Sequence, residues 1–504
     1  MLRAVSSDLS CGLSPSVFVP LDLMKKRKFI PKQLLNFPIL ICFLAATTGV
    51  YAQPCIDGFS GPYPCEGMHQ YAFMPADEIG GGVINDNWGW VSSETGREYA
   101  IQARSTGTSF IDITDPANPV YLGNLPTHDF EILWRDVKVY SNHAFIVAES
   151  GGHGMQVFDL TQLDAVVNPP VEFSETAHYP LFGNAHNVAI NEESGYAYAV
   201  GTNTYSGGLH FINIQDPQFP VAAGGFEADG YTHDVQVVNY DGFDANYVGR
   251  EMAFASNENS LTIVDVTDKS DPVMVSRTEY ENSAYAHQGW LTEDHRYFLL
   301  GDELDEGTFG NNTRTFVWDL LNLEEPELVG YIESDISSID HNLYFKGDYC
   351  YQANYTGGLR VLKMNNPATL DFEEVAFFDV IPENDNVQFI GSWNVYPFFP
   401  SGTIILSNMY QGMHILQPDF DPMTGIVHRS ISQISCYPNP SSDFVRIEGI
   451  SIETDRVELF NSTGRMVWSQ GTLVSGVLEM DVSNFSPGLY LVKAGEDTFR
   501  LIVQ

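Results

Sequence analysis

Short runs of alternating apolar and polar residues recur along most of this chain, and three kinds of run follow one another in a fixed order. The first is typified by His186-Asn187-Val188-Ala189-Ile190. It returns as Asn87-Trp88-Gly89-Trp90-Val91, Arg135-Asp136-Val137-Lys138-Val139, His233-Asp234-Val235-Gln236-Val237, His287-Gln288-Gly289-Trp290-Leu291, His341-Asn342-Leu343-Tyr344-Phe345 and Trp393-Asn394-Val395-Tyr396. A second run, rich in Tyr, Ala and Phe, follows at 98–101, 144–147, 196–200, 252–255, 297–300, 349–352 and 403–406. The third includes Phe110-Ile111-Asp112-Ile113, Val157-Phe158-Asp159-Leu160, Phe211-Ile212-Asn213-Ile214 and Ile263-Val264-Asp265-Val266. Period-two alternation with β-branched and aromatic residues predicts half-buried strands. Asp115-Pro116, Asp216-Pro217, Asp271-Pro272 and Asn366-Pro367 then open turns, because proline fixes φ and Asx side chains bond the local backbone.

Fourth strands are expected at 120–123, 171–173, 221–224, 273–276, 328–331 and 375–378, but the seventh repeat has none of its own. The repeats begin at 87, 135, 186, 233, 287, 341 and 393, a spacing of about fifty residues that belongs to a propeller array rather than a helical solenoid. Gln70-Tyr71-Ala72-Phe73 is the natural donor of the missing strand. Pairing the two ends of the array in one sheet would remove edges that an open array leaves free to aggregate. The fold class predicted is therefore all-β: a seven-bladed β-propeller over 53–418, a linker over 419–432, and a small C-terminal β-sandwich over 433–504.

Composition refines this picture. Among 504 residues, 24 Lys+Arg against 65 Asp+Glu give a formal charge of -41. Such a surface repels nucleic acid and anionic lipid, so no nucleic-acid partner is expected. Residues 1–52 read as a leader with a start at Met24: Met24-Lys25-Lys26-Arg27-Lys28 is basic, 34–50 is apolar, and Val50-Tyr51-Ala52 has the pattern of a signal-peptide cleavage site. No transmembrane segment is expected in the mature protein. Cys11 and Cys42 leave with the leader. Cys55 and Cys65 enclose a Gly/Pro-rich loop with little apolar content, which predicts a disulfide, while Cys350 sits in an apolar strand as a buried thiol.

No phosphate loop, nucleophile elbow or paired metal-binding cysteine motif is present. The chemistry that stands out is positional. If the first strands line an axis, Asn87, Arg135, His186, His233, His287, His341 and Trp393 form one ring, followed by Trp88, Asp136, Asn187, Asp234, Gln288, Asn342 and Asn394. Three readings stay open. His186, His233, His287 and His341 could hold a transition metal, with Asp136, Asp234 or Asp340 as further ligands or partners. Arg135 and protonated histidines could face an acidic ligand. Alternatively, the side chains bond the backbone of the next blade and lock the ring. The acidic stretches Asp302-Glu303-Leu304-Asp305-Glu306 and Asp241-Gly242-Phe243-Asp244 could take calcium, though solvated loops are the default on so acidic a chain. Trp88, Trp90, Trp290 and Trp393, if exposed, could stack on sugars or peptides.

Two resemblances follow from these motifs. The ordered set Tyr437-Pro438-Asn439-Pro440, Leu459-Phe460-Asn461-Ser462-Thr463-Gly464-Arg465, Ser486-Pro487-Gly488-Leu489-Tyr490-Leu491-Val492 and Leu501-Ile502-Val503-Gln504 resembles the C-terminal sorting domain of the type IX secretion pathway. That resemblance implies the type IX machinery as a partner and a secreted or outer-surface location. The repeats resemble the choice-of-anchor B family of LVIVD-type propellers through Asn87-Trp88-Gly89-Trp90, Gly183-Asn184-Ala185-His186-Asn187, Gly230-Tyr231-Thr232-His233-Asp234 and Ser338-Ile339-Asp340-His341-Asn342. No catalytic activity comes with that resemblance. The expected function is a secreted binding or interaction module for an extracellular peptide or glycan. The alternative is a metal-dependent hydrolase or oxygenase built on the axial histidines, by analogy with seven-bladed oxygenases that hold iron on histidines.

Overall fold

The computed structural model describes residues 53–420 and, further on, 435–437, 441–448, 456–461, 465–471, 477–494 and 497–503. The expected leader 1–52, with Cys11 and Cys42, and all of the linker after Phe420 lie outside the described residues, as does the side chain of Cys436. Among the described residues, no helix is long and apolar enough to cross a membrane.

Seven sheets follow one another between Phe59 and Pro418. The first is built from Ile84–Val91, Glu98–Arg104, Gly107–Asp112 and Val120–Pro126, each antiparallel to the next, and the same up-and-down order recurs in the others. The inner strands Ile84–Val91, Arg135–Tyr140, Asn187–Asn191, Asp234–Asn239, Ala286–Leu291, Asn342–Lys346 and Ser392–Tyr396 neighbour one another in cyclic order, the last returning to the first. Seven apolar cores lie between consecutive sheets. That between the first two holds Tyr99, Ile101 and Phe110 against Val137, Ile146 and Phe158, and that between the seventh and first holds Ile405 and Ile415 against Ile84 and Ile111. Each fully buried aromatic or aliphatic side chain contributes about 1.5–3 kcal/mol. The ring is thus held by the same face-to-face burial at every junction.

The seventh sheet takes its fourth strand from the N-terminal side. Met68–Pro75 pairs antiparallel with Gly412–Pro418, with Phe73 opposite His414 and Ala72 opposite Ile415. The disulfide Cys55–Cys65 is present and Cys350 is a buried free thiol, as the spacing predicts. The loop it closes also forms strands: Phe59–Ser60 and Tyr63–Glu66 add to the edge of Asp371–Phe378, making the sixth sheet six-stranded.

Four expectations need correction. The segment at 171–173 is not the fourth strand of the second sheet. Val171–Glu172 runs parallel to Val120–Pro126 of the first sheet, and Ala177–Tyr179 supplies the missing strand. Gly123 permits this, since a Cβ there would meet the Val171 carbonyl oxygen at 2.0 Å. Outer strands also run past their glycines: Gly123 and Gly330 have φ of 153° and 150° and sit at bulges, where the extra residue is absorbed and the strand continues. The first repeat starts two residues early. Asn85, not Asn87, is in line with Arg135, and Asp86 with Asp136, since Asp86 accepts from the Val137 amide as Asp136 does from that of Val188. Finally, Asp302, Asp305 and Glu306 are not solvated: all three are buried, the last two on the short helix Asp305–Phe309. Asp244 is buried as well and accepts from the Leu323 and Asn246 amides.

The C-terminal unit forms two sheets, one of Ser435–Tyr437, Phe444–Glu448 and Val477–Asp481, the other of Met466–Gly471, Arg456–Asn461, Gly488–Ala494 and Asp497–Val503. Val445, Ile447 and Leu478 of one face Val457, Val492 and Leu501 of the other in a shared core, as in a small sandwich.

Candidate functional site

Side chains of the inner strands meet in three layers along the axis. In the first, four imidazoles and an indole form an arc, with centroid separations of 4.2 Å for His186 and His233, 4.1 Å for His233 and His287, 4.5 Å for His287 and His341, and 4.8 Å for His341 and Trp393. Each buried imidazole donates from Nδ1 to the backbone of the next sheet: His233 to the His287 carbonyl at 2.9 Å, His287 to that of His341 at 3.3 Å, and His341 to that of Trp393. Nε2 is left as the acceptor. Burial, reinforced by neighbouring histidines, lowers the pKa of His287 and His341 to about 3 and that of His233 well below its ordinary value, so these three imidazoles are neutral. His186 instead faces Glu149, 2.6 Å from Nδ1.

Arg135 does not join this arc. Its guanidinium turns to Thr127 at 2.8 Å and towards Gln156, and burial, then the Arg104 charge, lowers its pKa to about 9. Asp340 also points elsewhere, towards Asp305 and Glu306. Glu303 takes the place expected of it. Its two oxygens lie 3.7 Å from Nε2 of His287 and 3.7 Å from Nε2 of His341, and Tyr355 donates to it at 2.9 Å. His287, His341 and Glu303 therefore offer two neutral nitrogens and a carboxylate within one ion's reach.

The second layer is ionic. Lys138 pairs with Asp136 and lies 3.6 Å from Asp86, and Asp234 completes the group. Burial pushes Asp86 well above the ordinary carboxylate range, and burial with the Asp136 charge pushes Asp234 up to about 7. Burial alone would raise Asp136 too, but Lys138 and several hydrogen bonds hold it low. The layer thus settles on one ammonium and one firmly ionised carboxylate.

These polar side chains also tie the sheets together. Asp86 accepts from the Val137 amide, Asp136 from Val188, Gln236 from Leu291 and Gln288 from Leu343. Asn191 donates to Asn239, Asn342 to Asn394, and Asn394 to the Asn87 carbonyl. Every junction of the ring carries one such bond.

The third layer is a basin of about 400 Å³ at the far end of the inner strands. Each sheet gives it one residue from the same register: Trp88, Lys138, Ala189, Gln236, Trp290, Tyr344 and Tyr396, with Phe398 beside them and Glu192, Glu193 and Asp234 as carboxylates. Trp290 packs edge-on to Tyr344 at 5.0 Å, and Trp88 to Tyr396 at 5.1 Å, so the aromatic wall is continuous. The Lys138 ammonium lies 4.7 Å from the Trp88 ring. Trp290 also borders an adjoining open groove of about 920 Å³ that contains Phe243, Glu293 and Asp294. Between arc and basin the passage narrows to about 20 Å³, lined by His186, Asn187, Asp136, Asp234, the other histidines and Trp393.

The structure therefore brings the four histidines, Asp136, Asn187, Asp234 and Trp393 to one passage and sends Trp88 to the basin. Trp90 is buried against Tyr99 and takes no part. Glu303, Lys138, Tyr344 and Tyr396 were missed. For the last three the signal was in the repeat, since they occupy its fourth position. Glu303 lies on a loop outside it, in the acidic stretch read as a possible calcium loop, and nothing in that stretch placed it beside the histidines.

The Secretion system C-terminal sorting domain family matches residues 435–504, and the LVIVD repeat family matches 253–279, which covers the three outer strands of the fourth sheet. No curated protein matches the chain. Among solved structures, the Myceliophteria thermophila Cps50 (Swd1) beta-propeller domain is similar at 9% identity and a TM-score of 0.43, covering 68% of this chain and 98% of that one. Kuenenia stuttgartiensis Hydrazine Synthase is similar at 11% identity and a TM-score of 0.46, covering 66% and 96%. The fold rests on the sheets rather than on these scores. The chain is an all-β propeller that carries one match to the LVIVD repeat, at 253–279, and ends in a C-terminal sorting domain of the type IX secretion pathway, and it is secreted or attached at the cell surface.

Proposed function

We propose that the propeller is a binding module that takes an extracellular glycan in its axial basin. One observation carries the reading: all seven sheets place a residue on the basin wall, and four of those residues are aromatic. Flat rings suit the apolar faces of sugars, while Glu192, Glu193 and Asp234 can accept from hydroxyls. The groove beyond Trp290 offers room for further sugar units. Screening the full chain on a glycan array, beside a peptide array, tests this. The expected result is oligosaccharide binding that weakens about tenfold or more in Trp290→Ala, as for a central aromatic anchor. His233→Leu, which strands the His287 carbonyl, should cost about 1–3 kcal/mol of stability and leave binding alone. Peptide binding without glycan binding, or an indifferent Trp290→Ala, would refute the proposal.

A second reading is favoured by the His287, His341 and Glu303 donor set: a transition-metal centre of a hydrolase or oxygenase. The 20 Å³ passage has room for about one water or ion, so a substrate would have to approach from the Glu303 side. Metal analysis of protein purified without a histidine tag decides it. Stoichiometric zinc or iron that is lost in His287→Leu would support this reading, and its absence from both proteins would remove it.

A further inference from the structure

Asp305, Glu306 and Asp340 come from two neighbouring sheets. Asp305 and Glu306 lie on the short helix after the fifth sheet's second strand, and Asp340 just before the inner strand of the sixth. Their exposures are 0%, 1% and 3%, and one oxygen from each lies within 4.8 Å of the others. Arg314 is the cation that meets them, and it is committed to one oxygen of Asp305, at 2.9 and 2.6 Å, while Asn311 donates to the other. Neither oxygen of Glu306 and neither oxygen of Asp340 has a hydrogen-bond partner among the described residues. Asp302, beside them, is satisfied by the Ala284 and Tyr285 amides and the Tyr280 hydroxyl.

Two buried carboxylates with four unpartnered oxygens are costly, and such groups are ordinarily paired with a cation or coordinated to a metal. We infer that Asp305, Glu306 and Asp340 hold a hard divalent cation, calcium, between the fifth and sixth sheets. Oxygen donors of this kind suit calcium, whose flexible coordination accepts carboxylates from separate segments, better than magnesium, which needs near-octahedral ligands and sheds water reluctantly. The ion would anchor the loop that carries Glu303 over His287 and His341. It is distinct from the glycan basin, which lies at the other end of the inner strands.

The test is calorimetric titration of the full, untagged chain with calcium after chelator treatment, alongside thermal melting. The expected result is saturable binding of about one ion per chain, a higher melting temperature, and magnesium binding weaker by about tenfold or more. Asp340→Asn and Glu306→Gln should each lose the calcium response, yet melt above the chelated wild type because a like charge has been removed. Trp290→Ala should keep the calcium response, which separates this site from the basin. No saturable binding up to about 10 mM calcium, beyond the range of extracellular modules, would overturn the inference and leave the carboxyl groups sharing protons. So would an undiminished calcium response in both carboxamide variants.

Discussion

Replacing Lys138 by methionine is expected to cost about 3–5 kcal/mol at neutral pH, the range for removing one partner of a buried ion pair. The ammonium is the single positive charge among Asp86, Asp136 and Asp234, and it pairs directly with Asp136. Methionine keeps the volume but leaves Asp136 ionised without a counter-charge, because the carboxylate still accepts from the Val137 and Val188 amides. Those amides belong to two different sheets, so the penalty falls on a junction of the ring. Denaturant unfolding of Lys138→Met and of Lys138→Met with Asp136→Asn checks the argument. The double variant should recover most of the loss, since it removes the unpaired charge while the amide oxygen can still accept. A single variant within about 0.5 kcal/mol of wild type would show that the ammonium is not what neutralises the axis.

The repeat was legible because propeller geometry writes itself into sequence as a recurring strand order, and the closing strand was legible because Gln70-Tyr71-Ala72-Phe73 had no other partner. The C-terminal motifs were equally plain. What could not be read was register. The first repeat starts two residues earlier than its apolar residues suggest, and their alternation does not record it, although Asn85-Asp86 shares an X-Asp pair with Arg135-Asp136 and His233-Asp234. Side-chain direction was also hidden: Arg135 and His186 share a repeat position, yet one turns into its sheet and the other towards the axis. Composition misled at Asp305 and Glu306. An acidic loop on an acidic chain reads as solvated, and only packing against Asp340, distant in sequence, shows it to be buried.

Charging the closing strand should have the other large effect. Met68, Ala72 and Met74 are 0%, 2% and 8% exposed, and face the cores on either side of the seventh sheet. Aspartate at all three positions would bury unpaired charges in both cores or detach the strand, so a loss of at least about 5 kcal/mol is expected, comparable to the whole stability of a marginal domain. Detachment would expose Gly412–Pro418 as a free edge, and the variant is expected to aggregate.

That the ring closes by pairing its two ends is tested most directly by native-state hydrogen exchange on the wild-type chain, followed at Met68–Pro75 and Gly412–Pro418. Closure predicts that the hydrogen-bonded amides of both strands are protected to the same degree as those of the other sheets, and lose protection together in the triple aspartate variant. Rapid exchange of Met68–Pro75 in the wild type, while Gly412–Pro418 stays protected, would contradict it.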